Sequence, residues 1–293
     1  MKELKLGLAL GAGGTKGAAH VGVLKVLDEA GIKVHAVAGT SIGSLYGGAY
    51  AAGYTPAYME EEIRTCPSSE VLSFFRHRLK IRHRNRLARR FYEALAGRQI
   101  ETLPLPFAAT ASDIERNCSV IIDRGPLIDA IEASIAIPFV ARPVAHQGRY
   151  LLDGGFWDAA PVDAAVHLGA DVVVAVELGS PYLLPEPLRR PASWVADRLD
   201  RIGRRRTLAG LPFTIGAIAH EAAAGRIADL AIRPALTRAR GNSPFHMSQS
   251  LDAGIEAARA ALPAIRALLA GEPLPAPDAP YAPAQLELEG GTA

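Results

Sequence analysis

Two rhythms of apolar and polar positions run along this chain. Leu4 to Leu10 (LKLGLAL) is short, mostly Leu and Ala, and nearly free of polar residues, which predicts a strand buried on both faces. A Gly-rich loop follows, from Gly11 to Gly17. From Ala18 to Ala30 the apolar positions Val23, Val26 and Leu27 fall at three- and four-residue spacing, predicting a helix that Gly31 stops. Val34 to Ala38 is a second apolar strand, and a second helix-like run continues to Gly53. Strand, loop, helix, strand, turn, helix is a β-α-β-α opening, which calls for a parallel sheet with helices on its faces.

Past Gly53 the pattern loosens. Pro56 to Thr65 predicts a short helix with Pro56 near its first turn. Arg76, Arg78, Lys80, Arg82, Arg84 and Arg86 alternate with His77, Leu79, Ile81, His83 and Asn85, a period of two that reads as extended. Phe107 to Ser112 and Cys118 to Ile122 read as strands joined by the turn Asp113 to Asn117. Pro126 to Ala136 and Pro161 to Leu168 predict helices, and Tyr150 to Leu152 a strand running into Asp153-Gly154-Gly155. Val172 to Val176 is the clearest buried strand.

Pro191 to Leu208 is amphipathic, and Leu230 to Arg233 reads as a last short strand. Met247 to Ala270 predicts a long helix, with Leu251, Ile255, Ala258, Leu262, Ile265 and Leu269 in 4/3 alternation and a bend at Pro263. Gly271 to Ala293 is a Pro-, Ala- and Gly-rich tail. The expected fold is α/β, a mainly parallel central sheet sandwiched by helices in three layers, as one domain over residues 1–270 with a tail at 271–293.

Composition adds limits. With 49% hydrophobic and 21% charged residues the chain is globular rather than disordered. A formal net charge of +2 gives no argument for nucleic acid. Cys66 and Cys118 stand far apart, which fits a reducing compartment better than a disulfide framework or a zinc site. The first five residues are too charged for a secretory signal. The uncharged stretch Ala36 to Met59 has transmembrane length, yet its five glycines and Pro56 make it insert poorly, so the expectation is a soluble cytoplasmic protein. Charge concentrates once: Arg76 to Arg90 holds eight Arg/Lys residues, either a solvated face or a peripheral contact with anionic headgroups at the inner membrane face, with Phe74, Phe75 and Leu79 dipping in.

Candidate chemistry sits in three turns that an open α/β sheet would gather at its carboxyl edge. Gly39-Thr40-Ser41-Ile42-Gly43 is a G-x-S-x-G turn between a strand and a helix, where only glycines let neighbouring backbone pass and the serine hydroxyl is pushed outward. The loop Gly11 to Gly17 is no Walker A motif, since Lys16 is followed by Gly17 rather than a hydroxyl residue. A dinucleotide fingerprint wants Asp or Glu at the end of the second strand, and Gly39-Thr40-Ser41 stands there instead. The loop amides of Gly13, Gly14 and Thr15 suit a different anion, the oxygen of a tetrahedral acyl intermediate.

A nucleophilic serine needs a base. His20, His167, His220 and His246 all fall where packing, a helix surface or a loop accounts for them. Asp153, at a strand end before two glycines, is placed to serve, although a carboxylate of ordinary pKa near 3.9 needs a dry site to act as a base.

At these three segments the sequence resembles the patatin-like phospholipase family, in the bacterial branch related to the catalytic domain of neuropathy target esterase. The residues that carry it are Ala12-Gly13-Gly14-Thr15-Lys16-Gly17, the Ser41 pentapeptide and Asp153-Gly154-Gly155, with AAHVGVLKVLDEAGI, PFAATASDI, SIAIPFVARPV and PVDAAVHLGADVVVAVEL around them. Ala12 replaces the first glycine of the family's loop. The resemblance implies a Ser41–Asp153 dyad and an oxyanion hole from Gly13, Gly14, Thr15 and Lys16. Gly39, Gly43, Gly154 and Gly155 are its motif glycines. It also implies fatty-acyl esters of phospholipids or lysophospholipids as substrate, and no metal or cofactor. Acyl transfer from the same acyl-enzyme and silent lipid binding are the alternatives.

Overall fold

The computed structural model describes residues 4–65, 86–113, 115–116, 118–137, 141–179, 228–236, 245–272 and 274. The eight strands are β1 (Leu6–Leu10), β2 (Val34–Thr40), β3 (Phe107–Asp113), β4 (Cys118–Ile122), β5 (Val144–His146), β6 (Arg149–Asp153), β7 (Val172–Val176) and β8 (Leu230–Ile232). They form one sheet whose main path is β5-β6-β3-β2-β1-β7-β8, with β4 attached to β3. The pairs β3–β2, β2–β1, β1–β7 and β7–β8 are parallel, and β3–β4, β3–β6 and β5–β6 are antiparallel. The mainly parallel sheet expected from the sequence is therefore present, with an antiparallel flank that the sequence pattern only half announced.

Helices α1 (Ala18–Glu29), α2 (Ile42–Ala51), α3 (Pro56–Thr65), α4 (Arg86–Leu95), α5 (Leu127–Ser134), α6 (Val162–His167) and α7 (Phe245–Leu269) cover the sheet. Side-chain alternation assigns the faces. Leu8, Leu10, Val37, Phe107, Val174 and Val176 point into the larger core, with α1, α2, α3, α5 and α7 above them. Ala9, Ala38, Ala108, Val173 and Ala175 point the other way, against Val162, Ala164 and Ala165 of α6. Small residues on that second face let a two-turn helix lie close, while each Leu sealed in the first core contributes roughly 2 kcal/mol of transfer free energy. Along α7, Leu251, Ala258 and Ile265 are fully buried at seven-residue spacing, and the helix continues through Pro263.

Two expectations are corrected. Arg86 belongs to α4 and not to an extended run, and its neighbour Arg90 forms a two-pronged ion pair with Glu62. His246 lies in the first turn of α7 rather than in a loop. Residues 76–85 of the basic run, Phe74, Phe75, Cys66, His220, the helix expected over Pro191 to Leu208 and nearly all of the tail lie outside the described residues. Among the described residues no helix is long and apolar enough to cross a membrane.

Register at β3 decides where the chemistry sits. Ala109 to Asp113 pair with Ile122 to Cys118 of β4 along one edge. A residue has only two edges, so β2 and β6 must share the other. β2 uses it up to Thr110, opposite Thr40, and β6 uses it from Ala111, opposite Asp153. The carboxyl ends of β2 and β6 thus meet head to head along one edge of β3.

Candidate active site

Ser41 is the first residue past β2 and caps α2. Its backbone has φ 53° and ψ −123°, a conformation that L residues rarely adopt. Gly39 and Gly43 permit this turn. A Cβ on Gly43 would fall onto the carbonyl oxygen of Leu10, and one on Gly39 onto the backbone of Gly43 and Ser44. The carbonyl of Ser41 accepts the N–H of Ser44 at 2.9 Å and the Ser44 hydroxyl at 2.6 Å. Its amide donates to Ser134 Oγ at 2.8 Å.

Across the junction stands Asp153, with no exposed surface. Ser41 Oγ donates to Asp153 Oδ2 at 2.6 Å, and the N–H of Gly155 donates to Oδ1 at 2.8 Å. One carboxylate oxygen is anchored and the other faces the hydroxyl. Gly154 lies so close to β3 that a Cβ there would strike the Thr110 carbonyl. Asp153 is further held by its N–H to Ala136 O at 3.0 Å and by Ser112 Oγ donating to its carbonyl at 2.9 Å. The Asp153 carboxyl is thus closed off from solvent.

The Gly-rich loop completes the convergence. Gly11 N–H donates to Val176 O and Ala12 N–H to Ala159 O, pinning the loop to β7 and to the chain beyond Asp153. Ala12 therefore stands where the amide is already engaged, and its methyl costs the loop no free donor. Lys16 N–H is taken by Gly13 O at 3.2 Å in a short 3-10 turn, Gly14–Gly17. Of the four predicted donors, Gly13, Gly14 and Thr15 have no acceptor for their amides among the described residues, and only Lys16 is engaged. Gly14 has φ +58° with open space where a side chain would be, and Gly13 is packed against Leu178.

Around the site stand Thr110 and Asp158, which the sequence reading did not single out, with Thr40 and His20, which it did. Thr110 Oγ1 donates to Thr40 Oγ1 at 2.6 Å, because the Thr40 proton is given to Asp158 O at 2.9 Å. His20 is fully buried; its Nε2–H donates to Gly11 O at 2.8 Å, and Nδ1 has no hydrogen-bond partner among the described residues. Burial lowers its pKa to about 4, despite that carbonyl pulling the other way, so it is neutral at pH 7. Burial also raises Asp158 to about 7, helped by the charge of Asp163. His167 ends α6 on the surface, 2.8 Å from Asp123. Among the described residues no group of three His, Cys, Asp or Glu side chains is arranged to hold a metal ion.

Comparison with known proteins identifies the family. The family model for patatin-like phospholipases matches residues 8–166, which contain all three turns. An uncharacterised NTE family protein of Mycobacterium tuberculosis is 34% identical over 202 residues, 68% of this chain and 56% of that protein. Lysophospholipase nte1 of Aspergillus fumigatus is 34% identical over 184 residues, 60% of this chain and 12% of that protein. The chain thus spans about half the length of the mycobacterial relatives and a small part of the fungal ones. Among solved structures, VipD from Legionella pneumophila aligns over 90% of this chain and 67% of its own, at 15% identity and a TM-score of 0.49. With more than half of its length inside the family model, the chain belongs to the patatin-like phospholipase family.

Proposed function

We propose that the protein is a serine acyl hydrolase that cleaves fatty-acyl esters of phospholipids or lysophospholipids through Ser41 and Asp153. The observation that carries this reading is the 2.6 Å hydrogen bond from Ser41 Oγ to Asp153 Oδ2 inside a dry junction. Ser41 Oγ attacks the ester carbonyl as its proton passes to Asp153 Oδ2. The carbonyl oxygen, now negative, is held by the Gly13 and Gly14 amides, and each such donor contributes about 10²–10³ in rate. Collapse expels the alcohol, which leaves with the proton from Asp153. Water then attacks the acyl-enzyme, Asp153 takes its proton, and Ser41 regains a proton as the fatty acid departs.

Fixed dipoles favour this order. The amino end of α2 points at Ser41, and its partial positive charge stabilises negative charge developing there. The name of the fungal relatives, lysophospholipase, supports a lipid ester rather than a small soluble one. The test is a panel of p-nitrophenyl esters and lysophospholipids of graded chain length, run on wild type and Ser41→Ala with fluorophosphonate labelling in parallel. The reading expects turnover that grows with chain length and labelling that Ser41→Ala abolishes. Activity retained by Ser41→Ala, or no labelling of wild type, removes it.

A further inference from the structure

We propose that Ser134 is a positioning residue for the nucleophile, its hydroxyl holding the backbone of Ser41 in the strained turn that aims Oγ at Asp153; the proposal rests on the hydrolase reading above. Two hydrogen bonds carry it. Ser41 N–H donates to Ser134 Oγ at 2.8 Å, and Ser134 Oγ–H donates to Thr110 O at 2.7 Å. An amide can only donate and a carbonyl can only accept, so the single hydroxyl proton lies toward Thr110 and a lone pair faces Ser41. Ser134 and Thr110 are fully buried and Ser41 nearly so.

One side chain therefore ties three elements: the last turn of α5, the first residue beyond β2, and β3 at the residue where β2 stops pairing. A φ of 53° at a serine persists only where surrounding structure over-determines it. On the carbonyl side of Ser41 the two bonds from Ser44 do this. On the amide side Ser134 does. With both peptide groups anchored, rotation of the Ser41 side chain alone sets the direction of Oγ.

The same short segment reaches the acid. Two residues past Ser134, the carbonyl of Ala136 accepts the Asp153 N–H at 3.0 Å. Residues Ser134 to Ala136 thus touch the backbone of both reacting residues. The Ser41 amide, being engaged by Ser134, does not serve the oxyanion.

Ser134→Ala removes the lone pair and strands the Ser41 N–H in a dry place. The readout is kcat and KM on a soluble p-nitrophenyl ester, with kcat expressed per Ser41 titrated to completion by fluorophosphonate. A 1 Å misplacement of a reacting group costs about 10²-fold, so normalised kcat should fall about 10- to 100-fold while KM stays within about twofold. Ser134→Cys keeps the shape with a weak donor and acceptor, and should fall about 3- to 10-fold by the same loosening. Normalised kcat within about twofold of wild type overturns the proposal, as does a loss that vanishes on normalisation. If Ser134→Ala does not fold, Ser134→Cys decides by the same thresholds. A wild type that neither turns over ester nor labels removes the hydrolase reading and this proposal with it, whereas an active wild type matched by the variant removes this proposal alone.

Discussion

On one side of β2 the sheet consists of β1, β7 and β8, and on the other of β3, β4, β5 and β6. The first side is LGLAL, VVVAV and LAI, with no polar side chain at all. The second buries Thr110, Ser112, Asp113 and Asp153, with Ser134 of α5 beside them. Non-directional burial stabilises the first side, and almost any arrangement of comparable volume would do. Each buried polar group on the second side has to meet its partner or cost stability. Asp113 illustrates this. Burial alone would raise its carboxyl, but the Arg116 and Glu115 amides and the Arg116 guanidinium outweigh that and hold it below the usual range. The comparison teaches that the hydrogen-bonded Ser41 and Asp153, proposed above as nucleophile and base, lie at the border, where an apolar frame supplies rigidity and a polar flank supplies direction.

Breaking the polar side alone should produce the largest effect. Asp153→Asn is expected to lower kcat/KM by at least about 10³, or about 4 kcal/mol in activation free energy, with the fold retained. Steady-state kinetics beside a circular-dichroism melt check it, and a loss below tenfold would contradict the role given to Asp153. The apolar side should behave in the opposite manner. Leu24 of α1 is fully buried, and Leu24→Ala should cost about 3 kcal/mol in urea unfolding while activity per folded molecule stays within a few-fold.

Acidity sharpens the same contrast, because two groups near the border titrate with opposite sign. The folded pKa of His20 is about 4 against 6.5 unfolded, so its neutral form favours the fold above pH 6.5. That contribution is lost as pH falls from 6.5 to 4, an amount of about 3 kcal/mol. Asp158 is raised to about 7 from 3.8, so its contribution grows as pH falls through the same window. The wild-type profile should be flatter than either group alone would give. Relative to wild type between pH 7 and 4, His20→Gln should gain stability on acidification and Asp158→Asn should lose it, as read from urea midpoints. Parallel profiles for all three proteins would contradict both assignments.

Smallest of all should be a change outside both regions. Arg64 joins Glu60 at 2.8 Å and Asp252 at 2.7 Å, linking α3 to α7 in solvent. Arg64→Ala should cost under about 1 kcal/mol, and added salt should shrink the difference further.

The sequence was most legible where burial alone decides. Val172 to Val176 became a strand with the same ends, and the glycines bounding α1 and α6 fell where helices stop. The three turns of the site also declared themselves, since each needs glycines at fixed offsets. β5 did not. It is three residues long, half-exposed, and joined to β6 through Gln147 and Gly148 with φ of 47° and 74°, a turn that sequence usually announces with Asn-Gly. Ser134 was hidden for another reason. A serine at the end of an Ala- and Ile-rich helix reads as a helix end, and only long-range register brings it to Ser41 and Thr110. The basic run misled at Arg86 because a period of two was counted across a helix start.

Because Thr110 and Ala111 are consecutive, β3 acts as a ruler with one graduation between the end of β2 and the end of β6. One strand step is about 3.4 Å, comparable to the reach of a single hydrogen bond. Adding or deleting one residue there would shift one carboxyl end against the other and turn the remainder of β3 inside out. This strand therefore has a length that cannot be changed by one residue without separating serine from aspartate.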